Sequence, residues 1–389
     1  MGEEDHNSIP VLRVAMLLPG LGRVQRGAET AFLALAAHLN AYPDVRITLF
    51  GSGSESPPGV PIINVGCTPR ERFERWPKLP LLRSEYAYEE LTFVMRLLAS
   101  RAFNPRDFDI ALHCSFPFTN WFLQRAGRRQ GPKSVFVTQN GDWMCRAESA
   151  EYRTFKCDAL VCTNPEYYDR HQNRYKAALI PNGVDPDQFH PDSKSSTGPR
   201  DPRFPIGAKI VLMVSALIPS KRVLDGIKAV ALLPEAFLVI AGDGPDRQLV
   251  TELAARELPG RHLLLGSLQR EMMPDVYRKA DVFLHMSQDE PFGIIYLEAA
   301  ASGVPVVAHD AAVPRWILGS SAKYANTSDP SAVAAALRDM FSSANLNLGG
   351  EARNRVLEGW TWASLAEKYR QFFYSVIPNQ RVPEVPCSP

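Results

Sequence analysis

Two glutamates eight residues apart, Glu290 and Glu298, mark the stretch E-P-F-G-I-I-Y-L-E-A-A-A-S-G-V-P-V-V-A-H-D, residues 290–310. Ionised carboxylates accept hydrogen bonds, so they suit hydroxyl groups and are poor ligands for phosphate. The elements around them favour anions instead. An apolar strand at 281–286 (D-V-F-L-H-M) runs into a loop with Pro291 and Gly293, and a short apolar helix carrying Glu298 follows. Gly303 ends the helix, and a second buried strand at 304–308 leads to Asp310. Such a unit sets a helix N-terminus, with unpaired N–H groups and a positive dipole end, at the carboxyl edge of a parallel sheet. Phosphates bind there. Hydroxyl ligands beside a phosphate-binding helix mouth suggest a sugar nucleotide. On spacing alone, the stretch also fits an ordinary βαβ unit with two solvated glutamates.

The whole chain sets the bounds. Its 389 residues are enough for two domains of ordinary size. Hydrophobic content of 45% and charged content of 22% belong to a soluble globular protein. A formal net charge of +1 gives no basis for nucleic acid as the main partner. Six cysteines (Cys67, Cys114, Cys145, Cys157, Cys162, Cys387) include no C-x-x-C pair and no His/Cys ligand spacing, so they read as reduced thiols of a cytoplasmic protein. The start, M-G-E-E-D-H-N-S, has neither a signal-peptide pattern nor a Ser or Thr where myristoylation needs one. No run of about 18 apolar residues occurs, so no transmembrane span is expected.

In chain order, residues 11–18 form a buried strand. A glycine loop with Gly20, Gly22 and Gly27 follows, then a helix from about Ala28. The loop does not match G-x-G-x-x-G, which weakens a nicotinamide reading. Strands are expected at 46–50, 61–65, 109–113, 134–138, 159–163 and 178–180. Residues 69–103 interrupt this rhythm by mixing arginines with Phe73, Trp76, Tyr86 and Tyr88. They read as a helical excursion with solvated arginines, or as a surface that touches an acceptor or a membrane. His113, Asn140 and Asp142 follow strand ends and are expected to face the domain cleft.

A linker at 193–205 separates this half from a second one, with strands at 210–216, 238–241 and 263–265 and helices at 224–233, 246–257, 272–279 and 331–341. The expected division is 1–192, 193–358, a final amphipathic helix at 359–378 and a tail at 379–389. Strands alternating with helices in both halves make the fold α/β with parallel sheets.

With these residues in hand, the chain resembles the retaining glycosyltransferases of family 4, of the GT-B fold. The resemblance runs from the glycine loop to the last helix. It rests on the E-x7-E pair Glu290 and Glu298, on P-N-G-V-D-P-D-Q-F at 181–189, on A-G-D-G-P at 241–245 and on S-A-L-I-P-S-K-R at 215–222. It implies two Rossmann-like domains facing across a cleft, the first binding an acceptor and the second a nucleotide sugar, with the last helix crossing back to the first domain.

The resemblance also implies residue roles. Glu298 would hold the ribose hydroxyls and Glu290 those of the donor sugar, assisted by amides at Phe292, Gly293 and Ile294. Lys221 would offset charge on the leaving diphosphate, with Gly242 and Gly244 completing the donor site. Three departures matter. Ala216 stands where the family has an arginine, leaving Arg222 and Arg315 as candidate replacements. Asn140 stands where a histidine is usual, and it cannot shuttle a proton near neutral pH. Arg26-Gly27 replaces Gly-Gly, so Arg26 is a candidate for its own phosphate or acceptor contact. His113 and Asp142 would orient the acceptor or donor sugar, Asp142 counting with Glu290 and Lys221 among the catalytic residues.

The implied reaction moves a hexosyl group from a nucleoside diphosphate sugar to a hydroxyl acceptor with retention. No cofactor and no metal are expected, because both D-x-D matches (Asp107 with Asp109, Asp185 with Asp187) sit in turn-like sequence. Another nucleotide-sugar enzyme of this fold, such as an epimerase or phosphorylase, stays open as an alternative. So does a sugar-nucleotide-binding protein without turnover. The expected location is the cytoplasm, with peripheral contact at the inner face of a membrane as a further option.

Overall fold

The computed structural model of the protein describes residues 11–127, 130–191, 205, 207–342 and 347–377. The chain divides into two compact units. One holds the residues up to Asn182 together with the chain from Trp362, and the other holds Gly183–Thr361.

The first unit contains β1 (Leu12–Leu17), α1 (Gly27–Asn40), β2 (Val45–Gly51), β3 (Ile62–Asn64), α2 (Glu85–Ser100), β4 (Ile110–His113), α3 (Phe118–Gly127), β5 (Lys133–Val137), β6 (Ala159–Cys162), α4 (Pro165–His171) and β7 (Ala177–Leu179). Its sheet runs β3-β2-β1-β4-β5-β6-β7, with every pair parallel. Helices cover such a sheet on both faces, so its central strands carry apolar residues continuously rather than alternately. The strands I-A-L-H of β4 and A-L-V-C of β6 are buried throughout. The order reverses between β1 and β4, which makes the loops leaving those strands the natural ligand edge.

The second unit repeats the plan. It runs through β8 (Lys209–Val214), α5 (Val223–Ala231), β9 (Ala236–Ala241), α6 (Arg247–Glu257), β10 (His262–Gly266), α7 (Met273–Arg278), β11 (Val282–His285), α8 (Ile294–Ala301), β12 (Val306–His309), α9 (Ala312–Leu318), β13 (Ala322–Ala325), α10 (Pro330–Met340) and α11 (Leu348–Gly359). The sheet order is β10-β9-β8-β11-β12-β13, all parallel. Tyr277, Phe283, Tyr296 and Leu297 fill one face, and Ile227, Val230, Leu284 and Leu337 the other. The reversal lies between β8 and β11.

The last helix, α12 (Trp362–Val376), packs on α1 within the first unit. Arg370 donates to both oxygens of Asp44 at 2.9 and 3.0 Å, and the Tyr374 hydroxyl donates to Asp44 at 2.8 Å, all three buried.

The α/β class with two parallel sheets is the one expected, and several local features differ. The division falls at Asn182/Gly183, before the linker composition begins, because the Val184 amide bonds to the Trp360 carbonyl at 2.9 Å and Phe189 is buried in the second core. Residues 69–103 hold a helix only from Glu85, capped by Ser84, whose side chain accepts from the Ala87 amide. A 3₁₀ turn at Arg70–Phe73 and a tight turn at residues 79–82 precede it. β13 was not expected, since A-K-Y-A is too short to signal a strand without its neighbour β12; α3, α4, α9 and α11 were also not expected. The linker at 193–205 apart from residue 205, the tail at 379–389 and Cys387 lie outside the described residues.

Candidate functional site

The topological reversal in the second unit brings Lys221 and Glu290 together. Lys221 ends a 3₁₀ turn, Pro219–Lys221, in the loop after β8, and Glu290 lies in the loop after β11. These two strands are neighbours at the switch point, so their loops meet although 69 residues separate the side chains. Lys221 Nζ donates to Glu290 Oε2 at 2.5 Å, and His285 Nε2, at the end of β11, lies 3.0 Å from the same oxygen. Burial works against charge on this carboxylate. The hydrogen bond and charge of His285, followed by those of Lys221, outweigh burial and bring the Glu290 pKa down to about 2. Both contacts use Oε2, so among the described residues Oε1 is left to accept from a ligand hydroxyl.

Glu298 sits on α8, nearly buried. Arg270 donates to its Oε1 at 2.7 Å, and the Tyr277 hydroxyl donates to its Oε2 at 3.0 Å. Arg270 also lies 5.2 Å over the Phe189 ring, which fixes the guanidinium. Each carboxylate oxygen has two lone pairs, so Glu298 is oriented by these two partners and still has acceptor capacity.

The backbone between these side chains is tightly built. Gly293 starts α8 with φ +80°, and a Cβ there would stand 2.7 Å from the Tyr296 ring. Phe292 is buried against Trp316 and Trp360, and Ile294 opens the helix. A Cβ on Gly242 would lie 1.8 Å from the Ser215 carbonyl oxygen, and one on Gly244 would lie 2.5 Å from that of Leu217. These glycines let the loop after β9 lie against the loop that carries Lys221. The Leu217 amide donates to the Asp243 carbonyl at 2.9 Å across the same contact.

Neither candidate replacement for the arginine absent at Ala216 joins this cluster. Arg222, at φ +54°, pairs with Asp225 at 2.7 Å. Arg315 makes two contacts with Asp310, at 2.5 and 2.9 Å, and stacks 4.4 Å over Tyr324. Among the lysines and arginines of the described residues, Lys221 is therefore the one that the structure brings to Glu290, beside His285.

The expected residues of the first unit divide. Gly27 opens α1 in open space, and Arg26 before it reaches Glu89 and Glu71, each at 3.1 Å. Asn140 is exposed after β5, with Cys114 Sγ 4.0 Å from its amide nitrogen. His113 does not face a ligand edge. It is fully buried, 3.0 Å from Ser134 Oγ and 3.3 Å from the Ser115 carbonyl, and burial lowers its pKa to about 4, so it stays neutral. Asp142 is enclosed by Arg146 at 2.7 Å, His171 at 2.9 Å and Arg170. Burial raises its pKa, but hydrogen bonds from His171, Arg146 and Arg170 outweigh that and bring it to about 2. These partners make Asp142 the tie between the loop after β5 and α4.

Sequence reasoning missed His285, Arg270 and Tyr277. His285 carried a usable signal, because it ends an apolar strand as His113 does. Arg270 had none beyond its place in a loop after a strand.

The comparisons with known proteins agree with the two-sheet fold. The profile of the glycosyltransferase family 4 matches residues 25–188, and that of glycosyl transferases group 1 matches residues 197–355. The chain is 29% identical over 273 residues to a GDP-mannose-dependent alpha-(1-6)-phosphatidylinositol monomannoside mannosyltransferase of Mycolicibacterium smegmatis, covering 63% of this chain and 71% of that protein. It is 28% identical over 234 residues to the mannosylfructose-phosphate synthase of Agrobacterium fabrum, covering 54% and 52%. Among solved structures, a sucrose-phosphate synthase from Thermosynechococcus elongatus superposes with a TM-score of 0.75 at 19% identity, over 94% of this chain and 100% of that one. Anabaena HepE in complex with UDP-glucose gives 0.69 at 15% identity, over 94% and 100%. The chain belongs to the family 4 glycosyltransferases, of the GT-B fold.

Proposed function

We propose that the protein transfers a hexosyl group from a nucleoside diphosphate sugar to a hydroxyl acceptor and keeps the anomeric configuration. The observation that carries this reading is the Lys221–Glu290 pair at the switch point of the second sheet, beside the N-terminus of α8. Glu290 Oε1 accepts from sugar hydroxyls. Glu298, oriented by Arg270 and Tyr277, accepts from the ribose. Lys221 and the amides at Phe292, Gly293 and Ile294 offset the charge that grows on the departing diphosphate. This assignment of charge stabilisation needs no metal.

In the transfer, the bond between the anomeric carbon and the diphosphate oxygen breaks, and the acceptor oxygen bonds to the same face of that carbon. The acceptor proton passes to the departing phosphate oxygen, so no side-chain base is required. That agrees with Asn140 standing in the first unit where the family usually has a histidine. Two relatives are named for mannosyl transfer or mannosyl products, and one uses GDP-mannose. GDP-mannose is accordingly the first donor to try, beside UDP-, ADP- and TDP-sugars. We assign the work to the cytoplasmic side of the cell; among the described residues no helix is long and apolar enough to cross a membrane.

The test is slow release of nucleoside diphosphate from each sugar nucleotide without acceptor, with thermal unfolding as a second readout. A donor at 100 times its dissociation constant stabilises by about 2.7 kcal/mol. One donor is expected to do both. Stabilisation by a donor that is never cleaved points to a binding protein, and no effect from any donor contradicts the reading.

A further inference from the structure

Five of the seven exposed large apolar side chains of the first unit, among the described residues, fall within one short stretch: Trp76, Leu79, Leu81, Met95 and Leu98, each between 48% and 60% exposed. Scattered exposed apolar residues need no explanation, but a clustered set rimmed by polar groups marks a contact surface. The stretch is ordered. Trp76 packs edge-on against Phe73 and Tyr88, with ring centroids 5.1 and 5.4 Å away. Leu79 and Leu82 exchange backbone hydrogen bonds of 2.9 and 3.2 Å, closing a turn that leaves Leu79, Pro80 and Leu81 exposed. Tyr88 and Met95 lie seven residues apart on α2, so Met95 continues the same helix face about two turns on.

Basic residues are interleaved with these apolar ones. Residues 70–83 carry Arg70, Arg72, Arg75, Lys78 and Arg83 against Glu71 and Glu74, a net of five minus two, or +3. Arg83 is paired with Glu151, and Arg70 with Glu71. Arg72, Arg75 and Lys78 are exposed and, among the described residues, have no acidic partner. Exposed Trp and Leu side chains beside unpaired Arg and Lys match the two halves of a lipid interface, acyl boundary and anionic headgroups. A protein partner of the same chemistry would need an acidic rim around an apolar centre.

We propose that this surface, the turns at residues 70–83 with the exposed face of α2, docks the protein on an anionic lipid bilayer. The proposal is independent of the donor chemistry, since the residues of the donor site all belong to the other unit.

The experiment is flotation of the full chain with vesicles of phosphatidylcholine alone and of phosphatidylcholine mixed equally with phosphatidylglycerol. Binding to the mixed vesicles is expected, with little to the neutral ones, and it should weaken as salt rises. The triple charge reversal R72E/R75E/K78E should lower the partition by about tenfold or more, because each cation contributes separately to surface attraction. The variant W76S/L79S/L81S should lower it similarly while leaving the salt dependence in place. R72E/R75E/K78E changes exposed residues, so its thermal unfolding should match the parent chain. W76S/L79S/L81S gives up the ring contacts of Trp76 with Phe73 and Tyr88 and should unfold slightly earlier, and donor hydrolysis should match the parent chain in both variants. Equal binding to both vesicle types, no binding to either, or unchanged binding by the charge-reversed variant overturns the proposal. So does lipid-free self-association that the W76S/L79S/L81S variant abolishes, because the face would then be an interface between copies of the chain.

Discussion

Glu290 Oε2 is shared by two donors, Lys221 Nζ at 2.5 Å and His285 Nε2 at 3.0 Å, brought from two strands that are adjacent only because the sheet order reverses between them. A carboxylate this enclosed would ordinarily resist ionisation. Here its partners keep it charged, which a hydroxyl-binding acceptor requires.

Replacing Lys221 with alanine removes the cation assigned to the leaving diphosphate. Nucleoside diphosphate affinity, measured by titration calorimetry, should fall by roughly tenfold to a hundredfold, the size of one lost charge-assisted contact. Unchanged affinity would take Lys221 out of the donor site.

The contact of His285 with Glu290 assigns it, under the proposed function, a positioning role. With Glu290 held at about 2, donor hydrolysis should keep its acidic limb well below the ordinary carboxylate value of 4.5. His285→Ala removes a group that lowers this pKa, so the acidic limb should move up toward 4.5. A limb at the same pH in the variant would show that His285 does not tune the carboxylate. Stability should follow the same sign. A depressed carboxylate contributes stability above 4.5 and loses it as pH falls toward 2, and the variant should lose part of that contribution.

Glu90 gives the opposite sign. Its Oε1 accepts from the Thr119 amide at 2.8 Å, while Oε2 is buried with no hydrogen-bond partner among the described residues. Burial raises its pKa to about 7, although the hydrogen bonds from Thr119 oppose the shift. The folded protein therefore holds a proton that the unfolded chain releases at lower pH. Stability from this group should fall as pH rises from 4.5 to about 7 and stay flat above. Glu90→Gln should flatten that window and, at pH 8, raise stability by about 3 kcal/mol in chemical denaturation.

Arg370 ties α12 to the first unit through Asp44, both side chains buried. Arg370→Ala leaves a buried carboxylate without its main partner, a change that typically costs about 3–5 kcal/mol. A lower denaturation midpoint is expected, and an unshifted one would show that α12 is held by its apolar face alone.

The alternation of apolar strands and helices was legible because each element carries its own period, as in V-L-M-V of β8 or V-F-L-H of β11. Pairing is not local, so the sequence hid β13, a four-residue strand defined by β12 beside it. The same limit divides the two strand-end histidines. His113 and His285 look alike in sequence, yet one meets Ser134 inside the core and the other meets Glu290 at the switch point. Glu290, Glu298 and Lys221 were readable from motif and order. Arg270 was not, since its role rests on a contact with Glu298 that spans 28 residues.

The most direct measurement is nucleoside diphosphate release by Glu290→Gln from the donor that the parent chain cleaves, with thermal unfolding measured in parallel. Glutamine keeps the shape and removes the charge that faces Lys221. A loss of about a hundredfold or more in turnover is expected in a folded protein. Release at the parent rate would contradict the assignment of Glu290 to the donor site.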